Sequence, residues 1–462
     1  MSKNLLSSER DLKAIGRCEF AALMTRCYRS TPGCHLVVGV SGGADSLALC
    51  LLMNEWGKDN HVQITAITVN HGIRKDAAKE ARLVNQWLQE RKICHCVLDI
   101  NKRIPSAGLQ AAARKWRFTA LDRWCRENSA NAVLFGHTME DQAETVYMRI
   151  LADSGPDGLS GMGHHTRVAG LAILRPLLGI PKARLIATCV QFEQVWVEDP
   201  SNEDRKFTRV RLRGLDTIFT KIGMGKKELD RFSSAMYRVR RIIDGYSLSF
   251  MRKNGGISGA GISWIYGQEF DILPEQFSIL LMTRILVAIG GTPFPPRTQK
   301  VRELCGSLRK GDELVCTLAG CIIQRNSKGV IWIYREYGRC ASSTMISSRR
   351  RNRWDNRFEV SFNSETELLI GPLGRDGWKH IKDNYAPEEH GIFRKNIPFL
   401  AKLSIPVARK LDGTVLIPHF EGERAGELTK QDSEVTMRFI PDSLWICSFL
   451  MDQGDLQKEN KT

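Results

Sequence analysis

Along the first half of the chain, short β-branched apolar runs alternate with longer segments whose apolar residues recur at helical spacing. Leu36-Val37-Val38-Gly39-Val40 is the first run, and it stops at Ser41-Gly42-Gly43-Ala44-Asp45-Ser46 before a helix-like apolar segment. Val62 to Val69, a stretch near Ile93 to Leu98, and Ala132 to Phe135 read as further strands. Helical segments run from about Ala77 to Arg91, from Leu109 to Glu127 and from Asp141 to Leu151. This alternation predicts an α/β fold, a doubly wound parallel sheet. Ligands in such sheets sit beyond the carboxyl ends of the strands. Ser41, Asn70 and Gly136 begin there, so they are expected on one edge. In Leu109 to Glu127, Ala113, Trp116, Ala120 and Trp124 form the expected core stripe, with Arg114 and Arg117 on a neighbouring face.

The pattern changes after Arg213. Lys226 to Tyr246 reads as a basic helix with Phe232, Ala235, Val239 and Ile242 as its apolar stripe. A glycine-rich break follows at Gly255 to Gly261, then helical stretches at Phe277 to Ile289 and Gln299 to Leu308. Beyond these the chain reads as β-rich. Glu313 to Arg325 and Val330 to Arg335 bracket a hairpin turn, and further strands are expected at Phe358 to Phe362, Glu367 to Ile370 and Val415 to His419. Ser342 to Arg353 reads as a polar, basic loop. The expected organisation is a catalytic domain over 1–215, a small helical domain over 216–310, a β-rich α+β domain over 311–450 and a disordered tail over 451–462.

Charge narrows the choice of partner. Lysine and arginine exceed aspartate and glutamate by 67 − 51 = 16 in 462 residues, which favours a polyanion, nucleic acid before membrane. Half of the surplus falls between Ser201 and Ala260, with 14 basic and 6 acidic residues. Thirteen cysteines are scattered without a Cys-x-x-Cys pair, which argues for free thiols and against a zinc ribbon. Met1 to Lys13 is polar and charged, and the most apolar later run, Phe277 to Gly291, is too short to span a bilayer. A cytoplasmic protein with no membrane partner is expected.

Several segments carry chemistry. Ser41 to Ser46 is a strand-loop-helix turn that offers backbone N–H groups and a helix N-terminus to an anion, with glycines for close approach. It lacks the Walker A spacer and its Gly-Lys-Ser/Thr ending. His137-Thr138-Met139-Glu140-Asp141-Gln142-Ala143-Glu144-Thr145 opens a helix at a strand end, with Asp141, Glu144 and Thr145 on one face. Carboxylates there suit Mg²⁺, an incoming amine or the work of a base, and equally complement the helix dipole. Arg114 and Arg117 suit phosphate or carboxylate. His164 and His165 read as part of a polar loop.

The ordered motifs resemble the tRNA(Ile)-lysidine synthetase family of N-type ATP pyrophosphatases. Ser41-Gly42-Gly43-Ala44-Asp45-Ser46 is similar to its ATP loop, Asn70-His71-Gly72-Ile73-Arg74 to the segment after its second strand, and Ala113 to Phe118 to its Ala-Arg-x-x-Arg-aromatic helix. His137 to Thr145, Gly158 to Met162, Arg175-Pro176-Leu177-Leu178 and Asp199-Pro200-Ser201-Asn202 complete the order. Thr138 stands where a second histidine is usual, Glu140 replaces an aspartate, Thr68 a histidine and Val210 an asparagine. The resemblance implies adenylation of the wobble cytidine C2 oxygen in tRNA(Ile) with anticodon CAU, then attack by the ε-amine of free L-lysine, yielding lysidine, AMP and pyrophosphate. It implies ATP binding by Ser41, Gly42, Gly43, Ala44, Asp45, Ser46, Asn70, Gly136 and His137, and catalysis by Asp45, Arg114 and Asp141. Asp141, Glu144 and Arg175 are expected to hold lysine, cytidine or Mg²⁺, with Mg²⁺ on Asp45 or Asp141. Arg209, Arg211, Arg213, Arg238 and Arg241 are expected on tRNA, and a homodimer is compatible. The rivals are a related tRNA thiolase, which would want Cys-x-x-Cys or a persulfide cysteine, a small-molecule amide synthetase, and a catalytically silent RNA-binding protein.

Overall fold

The computed structural model describes residues 13–29, 31–70, 77–100, 109–168, 171–198, 212, 214, 216–292, 295–347, 352–362, 367–384, 397–418 and 435–440. The chain forms two compact units, Met1–Ile242 and Ile243–Thr462. The segments His71 to Arg74 and Asp199 to Asn202, the arginines at 209, 211 and 213, and the tail over 451–462 lie outside the described residues.

The first unit carries β1 (His35–Gly39), β2 (Gln63–Asn70), β3 (Cys94–Asp99), β4 (Ala132–Leu134), β5 (His165–Val168) and β6 (Leu171–Leu174). They form one sheet in the order β3-β2-β1-β4-β6-β5, parallel throughout except for β5 at the edge. The period-two alternation of side chains explains why both faces are covered. Leu36, Val38, Val40, Ala66 and Leu134 point into a core shared with helices Arg17–Cys27, Ala44–Asp59, Ala77–Glu90 and Lys182–Gln191. Val37, Ile67, Val133 and Phe135 point the other way, onto helix Leu109–Glu127.

That last helix is rotated from its expected setting. Its fully buried residues are Phe118, Leu121 and Cys125, while Ala113, Trp116, Ala120 and Trp124 are only half-buried. The sheet offers aromatic and branched residues to Phe118, and the indole of Trp124 instead lies edge-on to His35, 5.7 Å between ring centres. The helix Lys226–Asn254 also departs from expectation. Phe232, Val239 and Ile242 are exposed, the last at 72%, and the helix buries Leu229, Ser233, Ser247, Phe250 and Met251 instead. Its face is chosen by helix Met139–Leu151, where Tyr147 donates its hydroxyl proton to the Met224 carbonyl and stacks on Phe219.

The second unit holds β7 (Gly255–Ile257), β8 (Ile262–Tyr266), β9 (Leu314–Leu318), β10 (Cys321–Arg325) and β11 (Val330–Arg335), ordered β7-β8-β11-β10-β9. Gly255 to Ile257 is thus a strand and not the expected break. A Cβ on Gly256 would lie 2.2 Å from the Trp264 ring, so only glycine admits this pairing. The run from Glu313 to Arg325 is two strands folded back at Ala319 and Gly320, both with positive φ. Helices Glu275–Gly290 and Thr298–Leu308 share one core with these strands, so the stretch 216–310 is not a separate helical body. The expected loop from Ser342 to Arg353 contains β12 (Thr344–Ile346) and the start of β13 (Asn352–Trp354). These pair with β15 (Leu368–Pro372) and β14 (Phe358–Phe362) in two small sheets that also hold β16 (Pro406–Arg409), β17 (Val415–Leu416) and β18 (Val435–Phe439).

Two polar groups, His95 and Asp355, give checks on this fold. His95, between Cys94 and Cys96, binds Thr68 Oγ1 at 2.9 Å and Asn85 Oδ1 at 3.0 Å and so belongs to the sheet-helix seam. Burial lowers its pKa from 6.5 to about 4. The unfolded chain therefore takes up a proton first, and the His95 contribution to stability, intact above pH 6.5, is lost as pH falls towards 4. Thermal melts of His95→Gln at pH 7 and pH 5 should differ less than those of the parent chain. In the second unit Asp355 accepts from Arg335 Nε at 3.1 Å and Arg357 Nε at 2.9 Å, and Arg357 is 1% exposed. Asp355→Ala leaves two interior guanidiniums without their shared counter-charge and should cost about 3–5 kcal/mol, read by chemical denaturation.

Candidate functional site

β1 and β4 end side by side, and the loop after β1 turns directly into helix Ala44–Asp59. Gly42 makes the turn at φ +88°, and Gly43 caps the helix. Ser46 Oγ donates to the Gly43 carbonyl at 2.9 Å and accepts from the Ser41 N–H at 3.1 Å, so the hydroxyl closes the loop on itself. Gly136 follows β4, and a Cβ there would lie 2.6 Å from the Asp45 carbonyl oxygen and 3.2 Å from the Ser46 nitrogen. The strand end and the helix start therefore touch backbone to backbone. From above, the Val197 N–H donates to the Gly42 carbonyl at 2.9 Å.

A cavity of about 280 Å³ opens beside this turn, lined by Asp45, Thr138, Glu140, Asp141, Ala143, Glu144, Tyr147, Lys182, Leu212 and Lys226. Three helices, Ala44–Asp59, Met139–Leu151 and Lys182–Gln191, present their first turns to it. Helix N-termini carry partial positive charge and unsatisfied N–H groups, so the cavity suits anions although carboxylates line it. Thr138 and Asp141 form a capping box. The Thr138 N–H and hydroxyl donate to Asp141 Oδ2 at 2.9 and 3.1 Å, and the Asp141 N–H donates to Thr138 Oγ1 at 3.4 Å. One carboxylate oxygen of Asp141 is thus committed to its own helix.

Asp45 differs. Its Oδ1 is buried with no hydrogen-bond partner among the described residues, and Lys182 Nζ lies 3.6 Å from Oδ2. Burial raises its pKa from 3.8 to about 6 against the pull of Lys182, with Asp141 and Glu140 adding to the rise. Glu140 Oε2 accepts from the Lys182 backbone N–H at 3.0 Å, and its Oε1 lies 3.8 Å from Lys226 Nζ. Glu144 is 5% exposed on the same wall. No set of three or more histidine, cysteine, aspartate or glutamate side chains among the described residues is arranged to hold a metal unaided.

The remaining expected residues lie outside the lining of the cavity. Asn70 ends β2 and donates to Asp99 Oδ1 at 2.8 Å. Arg114 is exposed, with its guanidinium 5.2 Å from the Phe118 ring centre, and Arg117 covers the Phe118 and Phe135 rings. Beside them, burial and the positive field of Arg175, Arg117 and Arg114 lower the His137 pKa to about 4, with Asp141 opposing, which keeps this imidazole neutral. Arg175 is 4% exposed and donates from Nη1 to the Gly163 carbonyl at 2.9 Å and Thr166 Oγ1 at 2.8 Å. It braces the Gly158-to-His165 loop. Gln142 braces the same loop by bonding both the N–H and the carbonyl of Met162. Arg238 and Arg241 are exposed on the helix Lys226–Asn254. The structure sets Asp45, Asp141 and Glu144 on one cavity, together with Lys182, Lys226 and Tyr147, which sequence reasoning did not single out. For Lys182 a signal was present, a lysine directly after Pro181 at a helix start.

A family model described as a PP-loop domain matches residues 18–216. The tRNA(Ile)-lysidine synthase of Wolbachia pipientis wMel is 30% identical over 345 residues, 73% of this chain and 80% of the relative. That of Anaplasma marginale is 32% identical over 326 residues, 70% of each. Among solved structures, the U34-tRNA thiolase NcsA from Methanococcus maripaludis aligns at TM-score 0.41 and 18% identity, over 51% of this chain and 80% of that one. A PP-loop turn beside a carboxylate-lined cavity, in a chain that aligns along most of its length with such relatives, fixes its kinship: the chain belongs to the tRNA(Ile)-lysidine synthase family.

Proposed function

We propose that this chain is an ATP-dependent carbon–nitrogen ligase that converts the wobble cytidine of tRNA(Ile) with anticodon CAU to lysidine. The observation that carries the reading is the convergence of three helix N-termini with Asp45, Asp141 and Glu144 on one cavity beside the Ser41-to-Ser46 loop. In the first step the cytidine C2 oxygen donates a lone pair to the α-phosphorus of ATP. The bond to the β-phosphate breaks, and its electron pair leaves on pyrophosphate. Fixed N–H donors stabilise charge that grows on the leaving group, which is the task of the Ser41-to-Ser46 turn, with Arg114 aimed at phosphate or the activated base. In the second step the deprotonated ε-amine of free lysine bonds to C2, and the C2–O bond breaks to release AMP. Asp141 and Glu144 would bind the incoming ammonium and accept its proton.

Asp45 fits Mg²⁺ better than Asp141 does, since its buried Oδ1 lacks a partner among the described residues while Asp141 Oδ2 is held by Thr138. Mg²⁺ commonly takes one or two carboxylates and completes its sphere with phosphate oxygens and water. When bound it would offset charge on the phosphates. Arg238 and Arg241, with Arg209, Arg211 and Arg213, are the proposed phosphate contacts to tRNA. No described helix is long and apolar enough to cross a membrane; the cytoplasm is the compartment this reading implies.

Incubation with ATP, labelled lysine and bulk bacterial tRNA should put label into tRNA with one AMP released per lysine. Unlabelled tRNA would overturn the reading, and sulfur incorporation would favour the thiolase. Gly136→Ala should cost about 1–3 kcal/mol of stability by overpacking and weaken ATP binding, because the new methyl displaces the first turn of the ATP-side helix; nucleotide titration checks this. Arg238→Ala and Arg241→Ala should each lower the salt dependence of tRNA affinity by about one unit of slope, with ATP binding unchanged.

A further inference from the structure

Lys182 is absent from every motif that marked the site, yet it enters the cavity directly. Its backbone is fixed with unusual thoroughness. The Lys182 N–H is held by Glu140 Oε2 at 3.0 Å, and two residues on, Arg184 bonds Glu19 at 2.7 and 2.8 Å and the Lys13 carbonyl at 2.7 Å. Thr188 accepts from the Ile15 N–H at 3.1 Å, and Cys189 Sγ lies 3.4 Å from the Ala44 carbonyl, in the first turn of the ATP-side helix. The side chain, by contrast, is 47% exposed and reaches across the cavity to within 3.6 Å of Asp45 Oδ2. A rigid base with a free four-carbon arm is what a cation needs to move between two anionic partners. The other lysine in the lining, Lys226, has its Nζ 3.8 Å from Glu140 Oε1.

We infer that Lys182 is the pyrophosphate-side cation of the adenylation step, resting on Asp45 in the free enzyme and contacting the departing phosphates when ATP is bound. The inference rests on the ligase reading above. Asp45 begins the helix that follows the Ser41-to-Ser46 turn, so phosphates seated on that turn come within reach of an arm that already touches Asp45. As the α-phosphorus bond to the bridging oxygen breaks, the electron pair and its negative charge pass to pyrophosphate, where an ammonium stabilises the transition state more than the ground state. No proton moves in this step. Transfer of Lys182 to phosphate also releases Asp45 for Mg²⁺.

The test is pyrophosphate release in a single turnover with ATP and tRNA(Ile), without lysine, together with the steady-state KM for ATP and for lysine in the complete reaction, compared among the parent chain, Lys182→Met and Lys182→Arg. Lys182→Met should slow release about 100-fold, with a raised KM for ATP and an unchanged KM for lysine. Lys182→Arg should recover much of the rate, because it restores the charge. Equal rates in folded Lys182→Met and parent chain overturn the inference, and so does a change confined to the KM for lysine, which would place the ammonium on the amino acid. Should Lys182→Met melt at a lower temperature, Lys182→Gln and the arginine variant separate charge from packing. A parent chain that releases no pyrophosphate with tRNA(Ile) defeats the ligase reading instead.

Discussion

The site depends on a missing side chain. Position 136 has no Cβ, so the end of β4 can lie against the Asp45 carbonyl and the Ser46 nitrogen at distances no other residue permits. That contact sets where helix Ala44–Asp59 begins, and hence where its first-turn N–H groups and Asp45 point. It also brings Phe135 and His137, on either side of Gly136, up to the arginines of helix Leu109–Glu127. The glycine turn after β1 and the strand end that leads into the carboxylate-bearing helix are thus joined through a backbone contact, and backbone is the part of a protein least able to drift.

Charge is distributed around this joint with a consistent logic. Carboxylates line the cavity, but the first turns of three helices surround them and two lysines neutralise them in part. A triphosphate can therefore enter without meeting an uncompensated negative wall. Next to Phe135 the field is positive instead, with Arg175, Arg117 and Arg114 acting on a neutral His137.

Much of this was legible in the chain. The alternation of β-branched runs and helical periods gave the parallel sheet because each strand, buried on both faces, has to be apolar at consecutive positions such as Leu36, Val37 and Val38. The residues at strand ends followed from topology alone. Legibility failed where tertiary packing selects among faces that look alike in sequence. Ala113, Trp116, Ala120 and Trp124 have the spacing of a core stripe, but Phe118, Leu121 and Cys125 met the sheet. Phe232, Val239 and Ile242 likewise have the spacing without the burial. Gly255 and Gly256 read as a break because a strand glycine is recognised only when the ring that fills its place, here Trp264, is known to lie across from it. Lys182 left only a local trace, a lysine after Pro181 at a helix start, because its partner Asp45 is distant in sequence.

The capping box ties the start of a helix to the aim of a carboxylate. Asp141 contributes one oxygen to the architecture of its helix and leaves the other to the cavity, while Thr138 supplies the reciprocal bonds. A change at either position alters the folding of the first turn and the aim of the remaining oxygen at once, so their effects do not add. Thr138 and Asp141 therefore answer to mutation as one unit.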